Sequence, residues 1–266
     1  MKPSRPLTLH LTRPFFGGGV TMVFRRIPAV RFVMGARGEY EDEEPPHEVE
    51  LTRDYWMAET PVTQRQFAVW TKAAKIQHEN HFKDKPDHPA ENMDWNEATA
   101  FCQWLTKGCR GGIPKGMVAR LPTEAEWERA CRSGTDSQTT DSEYWSGDGV
   151  GALAEAGWFN KNSNSSTQPV RAKAANGFGL YDMHGNVWEW CADAWDDRAY
   201  ARRVSGFQDP YNAPREEDPY RVPRGGSWGI SAGYCRSGFR ARRRLNRRYG
   251  DQGFRVCLGR DLAEPS

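Results

Sequence analysis

The sequence lacks any long apolar run, and this absence removes whole classes of protein. Within its 266 residues, no stretch approaches the roughly 20 apolar residues that a membrane-spanning helix needs. The first residues, MKPSRPLTLHLTRPFF, also lack the apolar segment and small-residue cleavage site of a signal peptide. We therefore expect a soluble, cytoplasmic protein with no membrane partner.

The sequence also lacks a charge excess and any cysteine pattern typical of zinc sites. Its 37 Lys and Arg residues nearly balance 35 Asp and Glu, for a net charge of +2. A surface built throughout for nucleic acid or anionic lipid would carry more positive charge. The six cysteines form neither a CxxC pair nor a Cys/His cluster, so we expect reduced, buried thiols rather than a zinc site.

Tryptophan and glycine are abundant, with 11 and 26 residues, and the apolar content is sufficient for one large domain with its own core. Three helix starts are indicated by capping boxes, in which the capping side chain and an acceptor three positions later bond reciprocally to the backbone. These pairs are Thr63 with Gln66, Asp94 with Glu97, and Thr123 with Glu126. The third helix is expected to end near Gly134.

Short strands and long irregular segments make up the rest of the chain. Strand-like patterns occur at Arg31–Met34, Val49–Leu51, Tyr55–Met57, Arg221–Trp228 and Phe254–Leu258. Residues 136–178 and 193–219 are rich in Gly, Asn, Ser, Asp and Pro, and long loops of this kind usually have a function. We predict one α+β domain with few helices, short strands and long irregular loops, preceded by a leader over residues 1–25 with no assigned structure.

A series of motifs, in order, resembles the formylglycine-generating enzyme (sulfatase-modifying factor) family over about residues 26–259. The motifs are FVMG at 32–35, PPHEV at 45–49, TPVT at 60–63, Pro89 with MDW at 93–95, RLPTEAEW at 120–127, NGFGLYDMHGNVWEW at 176–190, RGGSW at 224–228 and GFR at 253–255. The resemblance implies a C-type-lectin-like fold with long loops, followed by a tail over 260–266. Because the family contains oxidases, sulfoxide synthases, regulatory domains and ligand-binding proteins, the fold alone does not assign a function.

The residues that hold copper in the oxidases of this family are only half present. Those enzymes place two cysteines five residues apart after the Gly-Gly-Ser motif, because a pair of soft thiolates suits Cu(I). Here the second position is Cys235, but the first is Ile230, which cannot coordinate a metal. This argues against copper, and we interpret Cys235 as a buried thiol. The six histidines do not form the HxxxHxE pattern of the sulfoxide synthases either.

The segment from Trp228 to Arg255 resembles the variable region of diversity-generating retroelement target proteins, in which fixed scaffold positions alternate with randomised ones. By this resemblance the scaffold comprises Trp228, Ala232, Cys235, Arg236, Ser237, Arg240, Arg242, Arg248, Gly253, Phe254 and Arg255. The candidate ligand-binding positions are Gly229, Ile230, Ser231, Gly233, Tyr234, Phe239, Ala241, Arg243, Arg244, Arg247, Tyr249, Gly250 and Asp251. None of these is Lys, Gln, Glu, Trp or Met, the residues that changes at the two adenines of an Asn codon cannot encode. Tyr, Ser, Gly and Arg are typical of binding loops.

The resemblance also implies a structural calcium site in the tryptophan-rich motif. Asp182 and Glu189 match family positions that bind the ion through carboxylates, and Gly185 and Val187 match positions that bind it through backbone carbonyls. Such hard oxygen donors are the ligands that Ca²⁺ takes. The alternative is that both carboxylates serve in hydrogen bonds or ion pairs while the neighbouring tryptophans fill the core.

Three functions therefore stay open. The expectation that we favour is a non-catalytic protein that binds a ligand, which we expect to be a protein, through a diversified surface at residues 228–255. The alternative is an oxidase-like enzyme of the formylglycine-generating type that lacks the first active-site cysteine. A lesser alternative is nucleic-acid binding by the seven arginines between Arg236 and Arg248, although Arg236, Arg240, Arg242 and Arg248 are expected to belong to the scaffold and to pair with carboxylates.

Overall fold

A computed structural model describes residues 5–11, 19–37, 40–109, 112–133, 142–203 and 206–263. Its α-helices are α1 (Gln64–Ala74), α2 (Trp95–Gly108), α3 (Glu124–Arg132), α4 (Gly149–Ala156) and α5 (Ala199–Arg202), and short 3₁₀ helices occupy Glu41–Glu43 and Ala232–Cys235. Few helices and many short strands confirm the predicted α+β class. None of the described helices has the length and apolar character needed to cross a membrane.

The described strands form four small sheets. They are β1 (Leu7–His10), β2 (Thr21–Ile27), β3 (Val30–Met34), β4 (His47–Leu51), β5 (Tyr55–Ala58), β6 (Val118–Arg120), β7 (Gly157–Trp158), β8 (His184–Gly185), β9 (Trp188–Ala194), β10 (Phe207–Gln208), β11 (Tyr220–Arg224), β12 (Arg243–Arg244), β13 (Gln252–Gly253) and β14 (Cys257–Gly259). The largest sheet has the order β1-β2-β5-β14-β6. The sheet β12-β11-β9-β13 brings strands of the C-terminal segment together with the tryptophan-rich strand β9.

The three predicted capping boxes are confirmed, and each begins a helix. In α1 the Thr63 hydroxyl accepts from the Gln66 amide and the Gln66 side chain accepts from the Thr63 amide, and the same reciprocal pair is present in α2 and α3. Helix α3 ends at Arg132, followed by Ser133 in the left-handed conformation. The predicted end at Gly134 lies just outside the described residues.

The strand predictions are confirmed in the first part of the chain and wrong in extent in the last part. The segments predicted from Arg31, Val49 and Tyr55 lie in β3, β4 and β5. The strand predicted over Arg221–Trp228 stops at Arg224, because Gly225 and Gly226 take left-handed φ values of 93° and 78° and turn the chain. Within Phe254–Leu258, the extended pairing is confined to residues 257–258 of β14.

Part of the expected leader belongs to the main sheet. Strand β1 pairs antiparallel with β2, and β2 pairs with β5. The side chains of Leu9, Met22 and Phe24 are buried in the core. Two short strands with alternating inward residues carry little signal in a sequence, and their burial depends on the partner strands. Residues 1–4, 12–18 and 264–266, in the leader and the tail, lie outside the description.

Two apolar clusters on either side of the main sheet form most of the core. In one, Phe67 of α1, Phe101 of α2 and Phe254 pack against each other, with the Phe101 ring centroid 5.7 Å from that of Phe67 and 5.4 Å from that of Phe254. The other surrounds Trp127 of α3 and includes residues of β3, β4, β5 and β9. Helix α3 and strand β9 thus form a fixed base for the segment that follows β11.

Removing one capping box tests the contribution of these local interactions. The Asp94 side chain accepts from the Glu97 amide at 2.9 Å, and the Glu97 side chain accepts from the Asp94 amide at 3.0 Å. We expect Asp94→Ala to lower the free energy of unfolding by about 1 kcal/mol. Gln103→Ala, an exposed change within the same helix, is the control and is expected to stay within about 0.5 kcal/mol. Urea unfolding measures both, and equal effects would contradict the role assigned to the cap.

Candidate functional site

The C-terminal segment 228–255 separates into residues that face solvent and residues that face the core. Of the thirteen candidate ligand-binding positions, Phe239 is the one classed as buried. Those that are exposed are Gly229, Ser231, Gly233, Tyr234, Arg244 and Arg247, and those that are half-buried are Ile230, Ala241, Arg243, Tyr249, Gly250 and Asp251. Among the expected scaffold positions, the buried residues are Cys235, Arg236, Ser237, Arg240, Gly253, Phe254 and Arg255, whereas Arg242 and Arg248 are exposed.

Two buried arginines attach the segment to the rest of the domain. Arg236 forms a two-pronged ion pair with Glu43, with both N–O distances at 2.9 Å. Arg240 does the same with Glu124, at 2.6 and 2.9 Å. Such fork-shaped pairs fix orientation as well as distance, so the backbone between them is held at both ends. The predicted pairing with carboxylates is present for Arg236, Arg240 and Arg248, which contacts Glu97 at 2.9 Å. The prediction is wrong for Arg242, which forms no ion pair with any residue that the structure describes.

A third buried arginine, Arg224, lies beneath the segment. Its guanidinium donates to Glu124 at 3.0 Å and to Glu128 at 2.5 Å, both on α3, and to the Ser237 carbonyl at 2.7 Å. Burial raises the pKa of Glu124, but Arg240 and Arg224 outweigh this effect and lower the pKa to about 2. The Glu124 carboxylate therefore stays charged and holds two arginines at once.

An aromatic group lies on the outer side of the segment. The Phe239 ring contacts Tyr40 and Tyr234 edge to face, with centroids 5.3 and 5.0 Å apart. Tyr40 and Tyr234 are both exposed, at 41% and 40%. Because these two rings cover Phe239, this candidate position is only 9% exposed. Phe239 therefore packs against its neighbours rather than facing solvent.

Arg243, Tyr249 and Asp251 form a second group of contacts on the surface. Arg243 makes a two-pronged ion pair with Asp251, at 2.7 and 2.9 Å, and its guanidinium lies 4.4 Å from the centroid of the Tyr249 ring. The Asp251 carboxylate also accepts from the Ser227 hydroxyl at 3.0 Å. Three candidate positions are thus brought together into one contact network.

Cys235 is a packing residue. Its side chain is fully buried in a small cluster with Tyr144, Leu153 and Phe159, against which Ile230 packs. Burial raises the pKa of the Cys235 thiol to about 12, whereas a reactive or metal-binding cysteine needs an accessible thiolate. The position of Ile230 beside it supplies no second sulfur.

Sequence reasoning missed a buried cysteine and histidine pair, Cys131 and His184. The sulfur lies 3.8 Å from both ring nitrogens of His184. The ring itself is engaged on both sides, since Nδ1 lies 2.8 Å from the Cys235 carbonyl and Nε2 accepts from the Trp145 amide at 3.2 Å. Burial lowers the pKa of His184 to about 4 and raises that of Cys131 to about 12. Because the ring is neutral and the thiol is protonated, we assign the Cys131 and His184 pair a structural role next to Cys235.

Of the four predicted calcium positions, the two carboxylates, Asp182 and Glu189, accept hydrogen bonds from other groups of the protein in the conformation described. Both oxygens of Glu189 accept from Arg255, each at 2.6 Å, and Oε2 also accepts from the Trp127 indole at 2.7 Å. The Asp182 carboxylate accepts from the Arg171 amide and from the Asn186 side chain. Among the described residues, no group of three or more His, Cys, Asp or Glu side chains is arranged to hold a metal.

A cleft of about 910 Å³ lies beside the segment and was not predicted. Its walls come from Tyr40–Asp42, from the loop that includes Trp195, Asp197 and Arg198, and from Arg240–Arg242. A smaller cleft of about 380 Å³ adjoins it and shares Trp195, Asp197 and Arg242. Because these residues are distant in the sequence and lie in irregular chain, no periodicity or motif could have indicated that they meet.

Comparison with known proteins gives one consistent picture. The model of the sulfatase-modifying factor enzyme 1-like domain matches residues 21–259. A formylglycine-generating enzyme of Thermomonospora curvata is 36% identical over 165 residues, which are 57% of this chain and 48% of that enzyme. The chain thus spans about half the length, or less, of several curated relatives that it matches.

Two solved structures resemble the whole fold. Treponema denticola variable protein 1 has a TM-score of 0.79 and 29% identity, and the match covers 95% of this chain and 99% of that one. PvdO from Pseudomonas aeruginosa has a TM-score of 0.76 and 26% identity, covering 89% and 94%. These matches support the predicted C-type-lectin-like fold and the resemblance of the C-terminal segment to that of a variable protein.

Gly226, which lies just before the segment, and Gly229 within it test the division between core-facing and solvent-facing positions. A Cβ at Gly226, which has a φ of 78°, would lie 2.5 Å from the Cys235 sulfur, whereas a Cβ at Gly229 would meet nothing within 4 Å. We expect Gly226→Ala to cost about 2 kcal/mol or more and Gly229→Ala to stay within about 0.5 kcal/mol. Thermal or urea unfolding measures both, and similar stabilities would refute the division.

The ion pair of Glu189 with Arg255 and the predicted calcium site compete for one carboxylate. With the ion pair as described, we expect EGTA to leave the calorimetric melting temperature unchanged, and added CaCl₂ to have no effect either. MgCl₂ at the same ionic strength is the control for salt. A melting temperature that falls with EGTA and is restored by calcium alone would instead show that the chain binds calcium, as the sequence resemblance implies.

Proposed function

Because this chain belongs to the sulfatase-modifying factor enzyme 1-like family, in which the site decides the function, we propose that it is a non-catalytic ligand-binding protein. The surface formed by the thirteen candidate positions of residues 228–255 would contact the ligand. The ligand would be another protein. On this proposal, the scaffold positions hold the backbone while side chains on the outer face determine what is bound.

The observation that carries the proposal is the division of the segment into buried anchors and exposed side chains. Arg236, Arg240 and Cys235 attach the segment to the domain, while Ser231, Tyr234 and the other exposed positions contribute little to the core. Such an arrangement permits side chains to change without unfolding the protein. Tyr234, Arg244 and Arg247 are the large side chains among the exposed positions, and Tyr and Arg are enriched among residues that dominate binding energy.

A retroelement origin of the surface accords with the resemblance to Treponema denticola variable protein 1. It makes a genomic prediction that is independent of biochemistry. A reverse transcriptase gene should lie near the gene of this protein, together with a near-copy of the segment that encodes residues 228–255. The two copies should differ at adenines of the template, at codons of the exposed positions.

The alternative of an oxidase-like enzyme has less support. Formylglycine formation by a copper-dependent relative needs a pair of accessible thiolates, whereas this chain offers Ile230 and a buried Cys235 whose pKa is raised to about 12. Nucleic-acid binding is also weakened, because four of the seven arginines in the segment are held by carboxylates: Arg236 by Glu43, Arg240 by Glu124, Arg243 by Asp251 and Arg248 by Glu97.

Selection of binding peptides tests the proposal and does not require the natural ligand to be identified. Immobilised protein would be used to select binders from a phage library of random peptides, and affinities of synthetic binders would be measured by fluorescence anisotropy. We expect Tyr234→Ala to weaken binding by about 10-fold or more, as for a central aromatic contact. The control Phe207→Ala removes an exposed aromatic ring elsewhere and should leave affinity unchanged.

Two results would contradict the proposal. One is a set of binders whose affinity is the same for Tyr234→Ala, for Phe207→Ala and for the unmodified protein. The other is catalysis: incubation with a cysteine-containing sulfatase-type peptide, Cu(I) and oxygen should leave the peptide unchanged in mass. Formation of formylglycine would establish the enzyme instead.

A further inference from the structure

Arg242, Arg244 and Arg247 are the arginines of the segment that no carboxylate neutralises among the residues that the structure describes. All three are exposed. Asp251 is the only acidic residue between Trp228 and Arg255, and Arg243 already holds both of its oxygens. The unpaired charges of the binding segment are therefore all positive, although the chain as a whole is close to neutral.

Two of these arginines converge on one aromatic ring. The guanidinium carbons of Arg242 and Arg244 lie 5.6 and 5.3 Å from the centroid of the Tyr220 ring. Strand β12 places Arg244 directly opposite Tyr220 of β11 in the antiparallel pair. Stacking on an aromatic face orients a guanidinium while leaving its edge N–H groups available for a bidentate acceptor. Tyr220 thus holds two free guanidinium groups next to one another.

The neighbouring cleft determines which kind of anion these arginines can accept. Arg242 lines the cleft, and Glu41, Asp42 and Asp197 line the same cleft. The side chains of these three acidic residues have no ion-pair partner in the described part of the chain. Since like charges brought together at an interface cost free energy, an extended polyphosphate backbone that passes Arg242 would be repelled. A protein surface can place one or two localised carboxylates on Arg242 and Arg244 and present neutral or basic side chains to these three acidic residues.

We propose that the ligand is a protein whose contact surface is acidic, and that its carboxylates bind Arg242 and Arg244 beside Tyr220. This inference rests on the proposed function and specifies the chemistry of the partner. Arg242 belongs to the expected scaffold and Arg244 to the candidate variable positions, so a fixed arginine supplies a general preference for carboxylate and its neighbour adjusts that preference. Arg247 adds positive potential that accelerates association.

The same peptide selection tests this inference with a different pair of variants. We expect the selected peptides to be enriched in Asp and Glu, and their affinity to fall as salt concentration rises. The double variant Arg242→Ala with Arg244→Ala should weaken binding of such a peptide by about 10-fold or more, because two charge-assisted hydrogen-bonding groups are lost. The control Arg31→Ala with Arg65→Ala removes the same charge from exposed sites on β3 and α1 and should change affinity less than about 3-fold.

The possible outcomes separate this inference from the function on which it rests. Peptides that are lost with Tyr234→Ala but retained by the arginine double variant, or that show no acidic preference, would leave ligand binding intact and refute the acidic partner. Peptides unaffected by both changes would refute the binding surface itself. Single-stranded DNA should not bind at physiological salt, and DNA binding that the arginine double variant abolishes would replace the protein partner with a nucleic acid.

Discussion

The ion pairs of Arg224 are the interaction on which the rest of this structure depends. Its guanidinium is fully buried between Glu124 and Glu128 and reaches the backbone of Ser237. One side chain of β11 thereby joins helix α3 to the C-terminal segment 228–255. A buried arginine that lost these acceptors would leave an uncompensated charge in the core, which is far more costly than the pair is favourable. The acidic side chains of α3 are thus as much a part of the segment's support as its own residues.

Local interactions explain which parts of the fold could be predicted from sequence. The helices at Gln64, Trp95 and Glu124 begin with capping boxes whose members are three residues apart, so the determinants of each helix start lie within the start itself. Strand β9 carried no such signal. All seven of its residues are buried, so the alternation of apolar and polar residues that identifies a half-exposed strand is missing. Helix α4 lies in a glycine-rich stretch of the chain. Its apolar side chains pack against Tyr144 and Phe159, and this contact cannot be read from the sequence of the helix itself.

The candidate site shows the same limit. Its position could be predicted because the family motifs continue through residues 224–255, and the alternation of fixed and variable positions is carried by that resemblance. The carboxylates that hold the segment could not be predicted, since Glu43 and Glu124 lie 193 and 116 residues from Arg236 and Arg240 in the sequence. Nor could the covering of Phe239 by Tyr40, because Tyr40 lies in irregular chain between β3 and β4 and matches none of the motifs. In the structure, ion pairs separate the arginines that have a structural role from the arginines that are available to a ligand. The sequence contains both kinds and does not show which is which.

The anchoring of the segment at Arg236, Arg240 and the buried run from Gln252 has a consequence for evolution. Chain between such closely spaced fixed points has little freedom to lengthen or to change its path. A set of variants built on this scaffold would therefore differ in the chemistry of their surface side chains and hardly at all in backbone shape. Each variant would present the same backbone surface with different functional groups. The partners of such variants would share the shape of their contact surface and differ in its side chains. Binding proteins built on loops of variable length differ in shape as well.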